Sequence, residues 1–344
     1  MKFKDECFFR TIRDFLNVYL PKQKCYSPNT VRSYRISLNL LVDYLTVVNS
    51  VPLYKLSFED VTAESISGFL DWLQTERRCS PVTRNQRLMA IRSFLNYASG
   101  LNPAYVSRQI EVSHVPMQKT QGKRVEFLSE DALKALLAQP DQRKSNGIRN
   151  CFFMTLMYDC AARCQEMLDL KWQDFELEVP HPYVRLTGKG NKTRTVPLMD
   201  KTVEMLYLYA GYFHCGADLK GNSYVFYTVI HGKHCQMSPD TVASFMKKYG
   251  AEVQKTCADI PDRVHPHQLR HTRAIHLYRS GFPLALLAEF LGHTHVETTR
   301  VYAYADTEMK RDAILKADPE NLSAQEPAVW KGDDKMIKKL YGLQ

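Results

Sequence analysis

Apolar positions recur at helical spacing through the first hundred residues. Residues 6–20 alternate apolar and polar positions with a period near 3.6, which predicts a helix. Ser27-Pro28 is a helix start, a hydroxyl N-cap followed by proline at the first helical position. Behind it Tyr34, Leu38, Leu41, Val42 and Leu45 form one apolar stripe. A third helix is expected over residues 62–76. Ser80-Pro81 repeats the start signal, and Leu88, Ile91 and Leu95 then mark a core face, with Arg84, Arg87 and Arg92 largely off it. Four helices joined by short connections predict a helical bundle to about residue 105, within an N-terminal domain of residues 1–111.

Residues 112–126 lack periodicity and carry Pro, Gly, Gln and three basic residues, so they read as an exposed basic linker. A second domain is expected over residues 127–306. It opens at Leu128-Ser129-Glu130-Asp131, a helix-start signal. Residues 147–158 are too apolar for anything but a buried helix. Tyr183 to Leu186 and Thr193 to Val196 are β-branched and aromatic around Gly188-Lys189-Gly190-Asn191, which predicts a hairpin with Lys189 at its tip. Residues 200–213, 238–252, 266–279 and 283–291 read as helices, the last two separated at Gly281-Phe282-Pro283. The tail, residues 307–344, holds a late amphipathic stretch with Trp330, Met336, Ile337, Leu340 and Tyr341.

Length and charge narrow the class. A chain of 344 residues has room for two domains. No segment approaches 18 uninterrupted apolar residues, and the first residues do not resemble a signal peptide, so a cytoplasmic protein with no membrane partner is expected. The net charge of +9 suits a polyanionic partner. It is uneven: residues 1–126 hold 18 Lys and Arg against 11 Asp and Glu, the remainder 28 against 26. A basic N-terminal module gripping DNA gives this distribution, as does a solvated basic surface. The nine scattered cysteines read as free thiols. His214-Cys215 and His234-Cys235 lack the internal spacing of zinc modules, and His267 and His271 have no HExxH glutamate between them, so no metal is expected.

The chemistry gathers in residues 265–304, where His267, Arg270, His293 and Tyr302 lie in a basic, mostly helical stretch. An arginine fork can hold two non-bridging phosphate oxygens. Histidines donate hydrogen bonds or move protons near neutral pH, and a phenol can be a covalent nucleophile. Together these groups can attack a phosphodiester without a metal. Singly, each has an ordinary structural role as cap or packing residue; order and spacing lift the group above that. His267-Gln268-Leu269-Arg270-His271, then Leu291-Gly292-His293, then Thr298-Thr299-Arg300-Val301-Tyr302 resemble the C-terminal signature of the tyrosine recombinase (phage integrase) family. Upstream, Ala162-Arg163-Cys164-Gln165-Glu166-Met167 is similar to that family's LRxSEL box. Gly188-Lys189-Gly190-Asn191-Lys192-Thr193-Arg194-Thr195-Val196-Pro197-Leu198 is similar to its GKGNKxRxVPL hairpin. The chain departs at Cys160-Ala161-Ala162, where the pattern has TG-hydrophobic, and at Cys164-Gln165. Tyr304 lies two residues beyond Tyr302, but the nine-residue spacing from His293 selects Tyr302.

The resemblance implies an α+β protein of the integrase or transposase type carried by mobile elements. It is mainly α, with a small β-hairpin sheet in the catalytic domain and a helical, SAM-like core-binding domain before it. The reaction implied is site-specific strand exchange through a 3′-phosphotyrosyl intermediate and a Holliday junction, with no cofactor. Catalytic residues carried over are Arg163, Lys189, His267, Arg270, His293 and Tyr302. Glu166 is expected to help hold this region. The DNA-contact candidates are Arg32, Arg35, Arg84, Arg87, Arg92, Lys119, Lys123, Arg124, Lys192 and Arg194. Partners implied are double-stranded DNA at specific recombination sites and a homotetramer on two sites, joined through the tail docking on a neighbouring subunit. Accessory DNA-bending proteins stand as further candidates. A DNA-relaxing enzyme of the type IB topoisomerase kind and a catalytically inactive DNA-binding protein are the alternatives.

Overall fold

The computed structural model describes residues 6–120, 125–188, 190–216, 221–305, 311, 334–340 and 342. The chain divides into two compact units, Met1–Lys123 and Arg124–Gln344.

The first unit is helical. α1 (Glu6–Asp14) runs into a π-helical segment, Phe15–Gln23, rather than continuing as one α-helix to residue 20. Pro21 is the physical reason, because its ring lacks an N–H and clashes with a carbonyl one α-turn earlier; a wider turn accommodates it. The two Ser-Pro starts behave as expected. Ser27 accepts from the Thr30 N–H at 3.3 Å to open α2 (Pro28–Asp43), and Ser80 accepts from the Thr83 N–H at 3.3 Å to open α4 (Pro81–Leu101). Between them, α3 (Ala63–Thr75) starts from a reciprocal pair, Ser65 N–H to Thr62 Oγ1 and Thr62 N–H to Ser65 Oγ. One core holds Phe15, Leu38, Leu45, Phe69, Leu88, Ile91 and Leu95, with Phe8, Phe58 and Phe94 in mutual ring contact.

Two expectations are corrected in this unit. The stretch from residue 112 does not begin as exposed linker. α5 (Val106–Ser113) places Val112 in the core and Val115 joins it. The Asn85 side chain then holds Gln118 through both its backbone groups, at 2.8 and 3.0 Å. Two valines three residues apart anchor the segment despite its polar surroundings. Arg84 is not off the core face either: it is buried and donates to the Pro116 carbonyl at 3.2 Å. A buried guanidinium is tolerable only when backbone acceptors receive it.

The second unit packs helices around a three-stranded antiparallel sheet. α6 (Glu130–Leu137) starts on the Ser129 cap, and the apolar stretch forms α7 (Ser145–Asp159), whose Phe152, Phe153, Leu156 and Met157 are fully buried. α8 (Cys164–Asp169) follows at once. β1 (Phe175–Glu176), β2 (Tyr183–Thr187) and β3 (Thr193–Pro197) form the sheet in sequence order, with Val184 opposite Val196 and Thr187 opposite Thr193. Val184, Leu186 and Val196 point into the core at the two-residue strand period. α9 (Asp200–Phe213), the hairpin of β4 (Tyr227–Ile230) and β5 (Lys233–Gln236), and α10 (Pro239–Val253) complete this layer.

α11 (Pro266–Arg279) and α12 (Leu284–Leu291) come next, then α13 (Arg300–Ala305). They enclose a smaller cluster of Ala161, Ala274, Ile275, Leu287, Leu291 and Tyr302. In the tail, α14 (Asp334–Leu340) is the described element. Among the described residues, no helix is long and apolar enough to cross a membrane.

Candidate active site

Four chain segments bring the signature residues together, and backbone geometry sets each one. α7 ends at Cys160, and Ala161 turns the chain at φ 44°, the left-handed region, where the resembled pattern has glycine. Arg163 is then the N-cap of α8, its side chain one-third exposed. α11 presents His267, Arg270 and His271 within two turns. α12 ends on Gly292 at φ 63°, which turns His293 back toward the other three segments. α13 carries Tyr302.

Arg270 is the hub. It is 1% exposed, and its two terminal nitrogens donate to the Ala161 carbonyl at 2.7 Å and the Leu291 carbonyl at 2.6 Å. Those carbonyls belong to the turns that deliver Arg163 and His293, so one guanidinium ties both turns to α11. Burial, and then the charges of Arg163 and Arg194, push its pKa down to about 9. A cation held under such pressure gains when an anion arrives.

Glu166 is the counterweight. Its carboxylate is 3% exposed and accepts from Arg163 Nη1 at 2.7 Å and from the Arg163 backbone N–H at 2.8 Å. Both terminal nitrogens of Arg194 reach it as well, at 3.1 and 2.8 Å. Burial alone would raise this carboxyl; the two arginines overcome that and hold it at about 2. Gly188 makes the approach of the β2–β3 turn possible, since a Cβ there would stand 2.7 Å from Glu166 Oε1 and 3.4 Å from Arg163 Nη1.

Burial and neighbouring cations push the three histidines of the cluster toward their neutral form. His293 Nδ1 lies 2.8 Å from Thr299 Oγ1, and its pKa falls to about 4, first through burial and then through Arg270 and Arg163. His267 is lowered by burial and by Arg270. His271, one helical turn on and 4.6 Å away ring to ring, is also brought to about 4 by burial and by His267. Its Nδ1 lies 2.8 Å from Tyr302 Oη. Tyr302 itself is 2% exposed. Burial raises its phenol above the ordinary value, and Arg270 and Arg163 pull the other way.

Beside this cluster opens a cleft of about 1170 Å³, lined by Arg163, Gly188, Lys192, Arg194, His293 and Thr294 among others. Arg163, Lys192 and Arg194 put positive charge on its wall, and His293 lines it beside them.

Arg163, His267, Arg270, His293 and Tyr302 are thus brought together. Lys189 lies outside the described residues, as do Lys123 and Arg124. Of the ten DNA-contact candidates, Arg32, Lys119 and Lys192 are exposed; Lys192 Nζ is 3.5 Å from Thr294 Oγ1. Arg35 is exposed and donates to Asn17 Oδ1 at 3.1 Å. Arg84 is buried, as described. Arg87 donates to the Ser33 carbonyl and to Ser37 Oγ. Arg92 caps the end of α5 through the carbonyls of Val112, Ser113 and Val115. Arg194 is bound to Glu166, its side chain only 10% exposed. These four arginines hold their own domains together through groups a DNA phosphate would need. Sequence reasoning gave no chemical part to His271, although it closes the HxLRH motif one helical turn from His267; that spacing was the available signal.

Residues 126–309 match the family model described as Phage integrase family, and residues 12–100 match the one described as Phage integrase, N-terminal SAM-like domain. The chain is 29% identical over 308 residues to the tyrosine recombinase XerD of Staphylococcus epidermidis, across 90% of this chain and 98% of that protein. Its fold is similar to that of the XerH site-specific recombinase in a post-cleavage complex with palindromic difH substrate, with a TM-score of 0.65, 18% identity and coverage of 90% and 88%. It is also similar to the Tn1549 transposon integrase in complex with a circular intermediate DNA, with a TM-score of 0.64, 15% identity and coverage of 90% and 97%.

Proposed function

This chain belongs to the phage integrase family, and on that premise we propose that it is a site-specific DNA recombinase that cuts and rejoins strands through Tyr302. The observation that carries the assignment of residues is the junction at Arg270, which gathers the turns bearing Arg163 and His293 around one buried cation. Arg163 and Arg270 take the non-bridging oxygens of the scissile phosphate and offset charge in the transition state. His293 donates a further hydrogen bond to the same phosphate. His267 orients it from α11. Lys189 protonates the departing 5′ oxygen. Tyr302 forms the 3′-phosphotyrosyl ester, which stores the bond energy, so rejoining to a partner strand needs no ATP.

Double-stranded DNA is the substrate, and phosphate contacts dominate its affinity. The basic first unit supplies most of them, through Arg32, Arg35 and Lys119. The protein works in the cytoplasm as a tetramer on two sites, with the tail around α14 docked on a neighbouring subunit, and serves a mobile element.

The test uses labelled, nicked duplexes built from DNA flanking the gene's own element. Wild type and Tyr302→Phe are incubated with them and run on a denaturing gel. A protein-sized shift in wild type that vanishes in Tyr302→Phe is expected. A shift that persists in the variant moves the nucleophile elsewhere; DNA binding with no shift in either protein leaves a binding protein that does not cut.

A further inference from the structure

We propose that His271 is the base that takes the proton of Tyr302, a role that rests on the recombinase reading above. The hydrogen bond is already formed: Nδ1 of His271 lies 2.8 Å from Oη of Tyr302, inside the range for an O–H donor. Tyr302 is 2% exposed, so water does not compete for the phenol. A neutral imidazole that accepts at Nδ1 carries its own hydrogen on Nε2, which fixes the tautomer.

The groups around His271 explain why transfer waits for DNA. His267 and Arg270 face it from α11, His265 from the N-cap of that helix, and His293 from the turn after α12. All are basic, and together with burial they hold the imidazole neutral near pH 7. A phosphate seated on Arg270 and Arg163 brings negative charge to that surface and raises the proton affinity of His271. Substrate binding therefore turns a poor base into a competent one.

The step balances. The Oη–H bond of Tyr302 breaks and its proton goes to His271 Nδ1. The freed electron pair forms the bond from Oη to phosphorus, and the bond from phosphorus to the 5′ oxygen breaks. The leaving oxygen takes a proton from the general acid. When the 5′-hydroxyl of the incoming strand attacks, its proton returns to the group that served as general acid, and Tyr302 leaves and recovers its proton from His271.

The test measures single-turnover formation of the covalent complex on the nicked duplex. His271→Asn puts an amide oxygen near the place of Nδ1, so it keeps the hydrogen bond but cannot take a proton. The rate is expected to fall about 100-fold or more, the range for a lost general base. Replacing Tyr302 in that variant with a fluorinated, more acidic tyrosine is expected to restore at least about tenfold, because an ionised phenol needs no base. His271→Gln serves as a second variant, and thermal melting and DNA binding report whether each folds. Wild-type rates in both folded variants would overturn the role of His271 alone. A slow variant that the acidic phenol does not rescue would also overturn it, and would leave His271 as packing. Wild type that binds DNA but forms no adduct would instead remove the recombinase reading, and this proposal with it.

Discussion

Arg194 grips both oxygens of the Glu166 carboxylate, at 3.1 and 2.8 Å, and the same carboxylate holds Arg163 at 2.7 Å. A strand residue thereby helps set the position of Arg163, on another element. Glu166→Gln removes the charge from this buried triad and leaves two guanidinium groups facing one another. Stability is expected to drop by about 3–5 kcal/mol, the usual consequence of removing one partner of a buried pair. Urea unfolding reads this directly, and a loss below about 1 kcal/mol would show that the triad is not structural.

Arg270→Lys keeps a positive charge but cannot span the carbonyls of Ala161 and Leu291 together. Covalent-complex formation is expected to fall about 100-fold or more, as for a lost transition-state donor, while DNA affinity changes little. A variant that cleaves within tenfold of wild type would show that charge suffices and the staple does not.

Gly292→Ala meets two obstacles. The residue sits at φ 63°, and a Cβ there would stand 3.2 Å from Cδ and Nη1 of Arg194. A destabilisation of about 1–2 kcal/mol is expected from the backbone alone, with the displacement of Arg194 slowing cleavage as well. Unchanged melting and cleavage would refute this account of the turn.

Acid should unfold the second unit early. His271 and His293 are held at about 4, below the 6.5 of a free imidazole, so the unfolded chain binds more protons between those values and stability falls as pH drops from 6.5 to 4. Glu166, held at about 2 against 4.5, adds a second loss as pH falls from 4.5 toward 2. Urea titrations at stepped pH check this, and a His271→Asn, His293→Asn double variant is expected to flatten the upper limb. An equally steep limb in that variant would place the titration elsewhere.

The arginines of the first unit should separate into two kinds. Arg92→Ala removes three backbone acceptors' donor at the end of α5 and is expected to lower stability by about 1–3 kcal/mol. Arg32→Ala, on an exposed face, is expected to leave stability alone, weaken DNA binding and reduce the salt slope by about one unit. Calorimetric melting and binding at several salt concentrations distinguish them. An Arg32→Ala salt slope equal to wild type would take Arg32 off the DNA.

Local signals were legible in the residues. Ser27, Ser80 and Ser129 each open a helix where expected, because an N-cap acts over three residues. The β2–β3 hairpin follows from β-branched and aromatic runs on either side of a glycine turn. The π-helical segment at Phe15–Gln23 was hidden because its cause, Pro21, shifts the hydrogen-bond pattern without disturbing the apolar period. The pairing of Arg194 with Glu166 was hidden for a different reason: the partners are 28 residues apart, and β3 must be folded before its side chains have an address. His271 was printed in the motif. Which imidazole meets the phenol depends on how α13 lies on α11, and no spacing within either helix gives that.

The burial of Tyr302 also bears on genome safety. An exposed phenolate on a DNA-binding protein would attack wherever the protein paused, leaving breaks capped with protein across a chromosome. Here the Tyr302 side chain packs with Ala161, Ala274, Ile275, Leu287 and Leu291, and its hydroxyl is held by His271. With that pocket closed, a strand passing over the surface meets no nucleophile.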